Sequence, residues 1–275
     1  MPAPHLPVLL TGASGRLGRV LARALCEQGW EMRLTDIVPL PLDSPPGASF
    51  TRAELGDEAA MLRLAEGCGT ILHFGGVSGE APFETVIGPN IRGLHSIYEA
   101  ARAQGARMVF ASSNHVVGFF ERSDVLSADC PLRPDGYYGL SKAYGELIGR
   151  LYWDKHGVSS VFLRIGSCFE APTDARMLAT WLSHRDLVEL VRASALARIE
   201  GCRIIWGASA NAAMTWWGLD DREEIGWAPK DSADAFAAKL AEKRAGPIAE
   251  RYQGGLYCET DYSRPAPSPV KMFED

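Results

Sequence analysis

The chain is predicted to be an α/β protein: an open parallel sheet wound on both faces by helices, with a small C-terminal substrate-binding lobe. Three observations carry that expectation. Short apolar runs alternate with segments of helical periodicity as far as about residue 166. A glycine-rich turn stands between the first apolar run and the first helix. Beyond residue 166 the alternation breaks, which marks the change to the lobe.

Residues 7–11 are apolar and lead into glycine-rich sequence, as a buried parallel strand does. In 15–28, Leu17, Val20, Leu21, Ala24 and Leu25 recur at helical spacing, and Gly29 stops the helix. Residues 31–36 read as a second strand, followed by a proline-rich loop over 39–47. The runs 70–74, 107–112 and 160–165 read as further buried strands, with helices from about 57, 83 and 137 between them. Next come a helix over about 186–198, a strand over 203–206 and a late helix near 233–242. From Ser263 three prolines crowd into seven residues, so the tail is expected to be extended or disordered. The expected organisation is a nucleotide-binding core over 1–166, a smaller substrate-binding and oligomer-contact region with returning elements over 167–262, and a tail over 263–275.

With 275 residues, 47% of them apolar, the chain can bury one large core. Its net charge of −6 argues against nucleic-acid or anionic-membrane partners. No apolar run approaches the roughly 20 residues of a membrane span, and the start does not read as a secretory signal. Cys26, Cys68, Cys130, Cys168, Cys202 and Cys258 are scattered, which suits reduced thiols in a cytoplasmic protein. The six histidines lack metal-ligand spacing, so no metal is expected.

The turn from Gly12 through Ser14, Gly15, Arg16 and Leu17 to Gly18 lies between a strand and a helix. Glycine permits the tight turn and a close approach to a pyrophosphate, which the helix N-terminus then faces. This is the cofactor loop of a Rossmann-type fold. Asp36 ends the second strand, where a carboxylate accepts hydrogen bonds from the adenosine ribose and repels a 2′-phosphate. No arginine follows it directly, so NAD is the expected cofactor. Arg33, three positions earlier, sits too low on the strand to clamp a phosphate.

Tyr138 and Lys142 are four residues apart on a predicted helix, hence about 40° apart around its axis. Moving a phenol's pKa from ~10 to neutrality takes about 4 kcal/mol. An ammonium at about 4 Å supplies roughly that much at an effective dielectric near 20. Ser113 follows the strand at 107–112, where side chains face the ligand crevice, and can hold a reacting hydroxyl. Capping of the next segment is the plainer role and suits Ser112 better than Ser113.

With this loop, Ser113 and the Tyr138/Lys142 pair, the chain resembles the extended, epimerase-like short-chain dehydrogenase/reductases over roughly residues 7–166. A narrower resemblance spans almost the whole chain. The motifs Gly75-Gly-Val-Ser78, Phe110-Ala-Ser-Ser-Asn-His115, Arg133-Pro-Asp-Gly-Tyr-Tyr-Gly-Leu-Ser-Lys142, Arg164-Ile-Gly-Ser-Cys168, Arg176-Met-Leu-Ala-Thr-Trp-Leu-Ser-His184 and Trp206-Gly-Ala-Ser-Ala-Asn211 are similar to those of the bacterial uronate dehydrogenases. That resemblance implies oxidation of the anomeric carbon of galacturonate or glucuronate by NAD, giving an aldaric acid lactone. It also implies a homo-oligomer.

By the same resemblance, Tyr138 is the base, Lys142 contacts the nicotinamide ribose, and Ser78, Ser113, Asn114, His115 and Ser167 meet the sugar. Phe74, Gly75 and Gly76 flank the cofactor, Ile165 backs the nicotinamide, and Asn90 supports the site or starts a helix. Glu54-Leu55 stands where the family has aspartate and leucine near the adenine. For the substrate carboxylate, the fork of Arg176 is the natural partner, against a salt bridge to Asp174 or Asp186. Trp181, Trp206, Trp216 and Trp217 read as core or subunit contacts. Two other functions remain open. One is a nucleotide-sugar epimerase or dehydratase, for which 167–275 is a short lobe. The other is a non-catalytic dinucleotide sensor.

Overall fold

The protein is described by a computed structural model over residues 3–41, 43–240 and 245–265. The strands are β1 (Val8–Thr11), β2 (Met32–Asp36), β3 (Ala48–Arg52), β4 (Thr70–His73), β5 (Arg107–Ser113), β6 (Ser160–Ile165), β7 (Ser167–Cys168), β8 (Trp181–Leu182) and β9 (Cys202–Gly207). The helices are α1 (Arg16–Glu27), α2 (Glu58–Ala65), α3 (Phe83–Val86), α4 (Gly93–Gln104), α5 (Tyr137–His156), α6 (Met177–Thr180), α7 (His184–Leu196), α8 (Pro247–Arg251) and α9 (Leu256–Glu259).

Seven strands form one sheet in the order β3-β2-β1-β4-β5-β6-β9, every pair parallel. The chain winds outward one way from β1 through β2 and β3, then returns to β4 and runs the other way. The crevice between β1 and β4 is therefore the switch point at which such sheets bind ligands. Register aligns the carboxyl ends: Thr11 lies opposite Thr35 and His73, and Ser113 lies opposite Ile165.

Apolar side chains cover both faces. Leu10, Leu21, Leu34, Val109, Leu163 and Leu190 belong to the cluster under α1 and α7. Leu9, Met61, Ile71, Tyr98, Met108 and Phe162 belong to the cluster under α2, α4 and α5. A fully buried aliphatic side chain stabilises the fold by roughly 1.5–3 kcal/mol. Trp181, Trp206 and Trp216 are also buried, and Trp206 stacks on Trp217 at 4.6 Å.

A buried ion pair fixes α5 on the sheet. Arg164 of β6 donates to Glu146 of α5 at 2.8 and 3.0 Å, and Ser112 Oγ of β5 donates to the same carboxylate at 2.7 Å. Arg164 also donates to Ala128 O at 3.0 Å, so both charges are hydrogen-bonded inside the protein.

Sequence and structure differ in places. β3 is absent from the sequence reading because it is a short, largely solvent-facing edge strand without an apolar run. β9, which lies beyond residue 166, pairs with β6 in the main sheet. The late helix is a 3₁₀ helix over Ala233–Lys239. The last part of the predicted tail, 266–275, lies outside the described residues, as do 241–244. Among the described residues no helix is long and apolar enough to cross a membrane.

Candidate active site

The turn from β1 to α1 depends on absent Cβ atoms. Gly12 has φ +73°, and a Cβ there would stand 2.5 Å from the carbonyl carbon of Phe74. A Cβ on Gly18 would overlap the Gly12 carbonyl, and one on Gly15 would stand 3.1 Å from that oxygen. Asp36, at the end of β2, accepts from Ser14 N at 3.0 Å and Val38 N at 3.3 Å, while Ser14 Oγ donates to Val38 O at 2.9 Å. A cradle without side chains at a helix N-terminus, with a carboxylate beside it, fits the pyrophosphate and adenosine ribose of NAD.

The remaining cofactor candidates surround this turn. Arg16 is exposed and lies over the Phe169 ring at 3.9 Å, while Leu17 packs against the core. Gly75 N donates to Thr11 Oγ1 at 3.2 Å, which draws Phe74, Gly75 and Gly76 against β1. Leu55 packs on Gly75 and Gly93, and Glu54 beside it is exposed. Asn90 is buried inside a π-helical turn, Ile87–Arg92, and does not start a helix. Its amide accepts from Val77 N at 2.7 Å and donates to Val77 O at 3.0 Å and Ser141 Oγ at 2.9 Å, tying the Gly76 segment to α5. Arg33 donates to the carbonyls of Leu64 and Glu66, away from the site. Arg52 stands opposite Asp36 in the β2–β3 register, with Nε on Ile37 O at 2.6 Å. The sequence reading missed this cation along with β3.

Ser113 ends β5 instead of following it. Its Oγ accepts from His115 N at 3.2 Å and stands near enough to the Tyr138 phenol to favour the phenolate. Capping thus falls to Ser113, while Ser112 is committed to Glu146. Tyr138 and Lys142 are both buried on α5, and Lys142 Nζ lies 5.6 Å from the Tyr138 ring centre. The expected lowering of the phenol pKa does not follow from the protein groups. Burial pushes the Tyr138 phenol above its ordinary value, Tyr257 and Asp135 add to the rise, and Ser113 offsets part of it. Burial also lowers the Lys142 ammonium to about 8. Removing both groups from water opposes both charged forms.

The N-terminus of α5 is held by a residue that sequence reasoning missed. Gly136 occupies the cap position without a side-chain bond. Instead, Glu80 Oε1 accepts from Tyr137 N and Oε2 from Tyr138 N, each at 2.9 Å.

On the other side of Tyr138, Asn114 and Arg176 meet. With the Asn114 amide oriented to satisfy both neighbours, its nitrogen donates to Ile165 O at 3.2 Å and its oxygen accepts from Arg176 Nη2 at 2.9 Å. Arg176 Nε donates to Gln253 O at 2.7 Å. Asp186 is occupied by Ser209 Oγ, Lys230 N and Asp231 N, so it is not the arginine's partner. His115 Nδ1 lies 2.6 Å from Asp135 Oδ2, and the ring stacks on Tyr257 at 4.0 Å. Ser167 Oγ pairs with Thr180 Oγ1 at 2.9 Å, and Ser78 is exposed on the segment tied down by Asn90. Asp135 lies in a motif singled out in the sequence, yet nothing local distinguishes it from a turn acid. Glu80, Gln253 and Tyr257 carried no signal, since their partners lie far along the chain.

A nucleotide cradle, a buried Ser/Tyr/Lys constellation and an arginine beside them define an NAD-dependent oxidoreductase site on a doubly wound sheet. The chain belongs to the NAD dependent epimerase/dehydratase family, whose sequence model matches residues 8–193. It is 43% identical over 259 residues to the uronate dehydrogenase of Pseudomonas putida, covering 92% of this chain and 96% of that one. It is also 43% identical over 257 residues to the uronate dehydrogenase of Agrobacterium fabrum, with the same coverage of both chains. A variant of the Agrobacterium tumefaciens uronate dehydrogenase, solved in complex with NAD, superposes with a TM-score of 0.87 at 41% identity, covering 94% of this chain and 98% of that one. Within the wider family, the chain thus falls among the uronate dehydrogenases.

Proposed function

We propose that this protein oxidises the anomeric carbon of hexuronic acids, D-galacturonate and D-glucuronate, to the aldaric acid lactone with NAD. The observation that carries the reading is the placement of Arg176 beside Asn114, one residue past the Ser113–Tyr138 contact. A remote cation next to a hydroxyl-activating pair suits a small sugar acid.

Tyr138 takes the proton from the anomeric hydroxyl while Ser113 holds that oxygen. Arg176 binds the sugar carboxylate through Nη1 and the second hydrogen of Nη2, which the bonds to Gln253 and Asn114 leave over. Asn114, His115, Ser78 and Ser167 meet the hydroxyls. When bound, NAD supplies the hydride acceptor and a second positive charge beside the phenol. Lys142, with Nζ 5.6 Å from the ring centre, places one cation on the same helix face as the phenol. Burial makes the phenol reluctant to ionise, so the second cation matters. Residues 12, 14–18, 36, 54–55, 74–76, 90, 142 and 165 hold the cofactor, and 167–262 provide the substrate side through Ser167, Arg176 and Gln253.

We also infer a cytoplasmic homo-oligomer. Tyr137, Leu140, Leu147 and Leu151 are exposed at turn spacing along α5, a face suited to a second copy. Light scattering of the purified chain tests this.

Purified protein with NAD and galacturonate or glucuronate should generate reduced cofactor. Turnover of UDP-sugars alone would replace this reading with the epimerase/dehydratase one. Tyr138→Phe should abolish turnover while NAD still binds; retained activity would exclude Tyr138 as the base.

A further inference from the structure

Beside the reacting tyrosine lies a carboxylate that the mechanism above does not use. The Asp135 side chain is 0% exposed. Glycines from three segments make room for it. A Cβ on Gly118 or Gly254 would overlap its Oδ2, and one on Gly139 would stand 2.9 Å from its Oδ1. Its direct effect on Tyr138 is adverse, since it raises the phenol pKa. Its charge favours the Arg176 cation, and its hydrogen-bonding contact is with His115, whose Nδ1 lies 2.6 Å from Oδ2.

The imidazole is held by Asp135 and two aromatic rings. The backbone N–H of His115 donates to Ser113 Oγ at 3.2 Å, which fixes the chain that carries the ring. The ring stacks at 4.0 Å and 16° on Tyr257 and meets Tyr138 edge-on at 5.9 Å. A carboxylate can only accept, so the nitrogen facing it must carry the hydrogen. In a neutral ring that leaves Nε2 as an acceptor for a ligand.

We propose that Asp135 is a positioning residue that fixes His115 with its proton on Nδ1, so that Nε2 meets the sugar as an acceptor and selects substrates that offer a ring hydroxyl as donor. The identity of the ligand rests on the uronate reading; the tautomer does not. An acceptor fixed in this way rejects a sugar whose facing hydroxyl is replaced by fluorine, which cannot donate.

Two measurements on the full chain test this. Long-range proton–nitrogen spectra of the histidine-labelled protein at neutral pH should give the Nδ1–H tautomer for His115. An Nε2–H tautomer, or an imidazolium, would overturn the proposal. Kinetics with a series of monodeoxyfluoro uronates should show one position disfavoured by the wild-type protein. Asp135→Asn should lower kcat/KM for the parent sugar about 10- to 100-fold and shrink the hydroxyl-over-fluorine preference at that position. A preference unchanged in Asp135→Asn would refute the assignment, because a purely structural role lowers all rates together. His115→Gln should show the same lost preference, with no further loss on adding Asp135→Asn. An Nδ1–H tautomer without turnover of either uronate would reject the proposed substrate and leave the positioning role standing.

Discussion

Replacing Glu80 by alanine removes both acceptors from the first two backbone N–H groups of α5, one of them that of Tyr138 itself. Losing a side-chain cap costs about 1 kcal/mol, and losing a negative charge at a helix N-terminus costs about 0.3–1 kcal/mol. Glu80 is half-buried, so a total near 1.5 kcal/mol is expected. For a chain of this size that lowers Tm by roughly 3–5 °C, measurable by circular dichroism. The catalytic loss should be larger in proportion. Tyr138 sits in the turn that frays, and a misplacement of about 1 Å costs on the order of 100-fold in rate. The expected kcat is therefore 10- to 100-fold lower, with Glu80→Gln intermediate. Gly136→Ala should reproduce the defect, since its Cβ would overlap Glu80 Oε2. Adding it to Glu80→Ala should cost little more. A Glu80→Ala protein with kcat within about twofold of wild type would refute the positioning role, whatever its Tm.

Three further outcomes follow from the site. Arg176→Ala should raise KM for uronates at least about tenfold and weaken discrimination against the neutral parent sugar; an unchanged KM would remove the clamp from Arg176. Asp36→Asn keeps an acceptor for Ser14 N but removes the charge that repels a 2′-phosphate. With Arg52 opposite, kcat/KM for NADP over NAD should rise about 10-fold or more, and loss of that gain on adding Arg52→Ala would locate the phosphate contact. His73 is buried on Thr11 Oγ1, and its pKa is lowered to about 3 by burial first and by Lys142 second. Its neutral form is favoured in the folded state, so its stabilising contribution is present above about 6.5 and lost as pH falls toward 3. The slope is about 1.4 kcal/mol per pH unit. Urea midpoints across that window should fall less steeply in His73→Gln.

What was legible in the sequence was what local pattern encodes. Gly12, Gly15 and Gly18 are required by contacts within a few residues of chain and one crossing to Phe74, so their spacing alone located the cradle. Tyr138 and Lys142 share a helix face by simple geometry. β6, fully buried, announced itself by its apolar run, whereas β3 at the solvent edge did not. That one omission also hid Arg52, because which cation faces Asp36 depends on strand pairing and not on sequence distance.

The positioning residues were illegible for a related reason. Glu80 caps a helix that begins far along the chain, Gln253 holds Arg176 by a backbone carbonyl, and Tyr257 reaches His115 from α9. None has a local pattern, since each acts through a partner that only the fold supplies. The pKa argument failed at the same level. A lysine four residues from a tyrosine supplies an attraction that sequence can count, but the cost of burying both is set by everything packed around them. Here that cost prevails, with the phenol raised and the ammonium lowered to about 8. In the proposed mechanism, the charge that NAD carries would offset part of that cost at Tyr138.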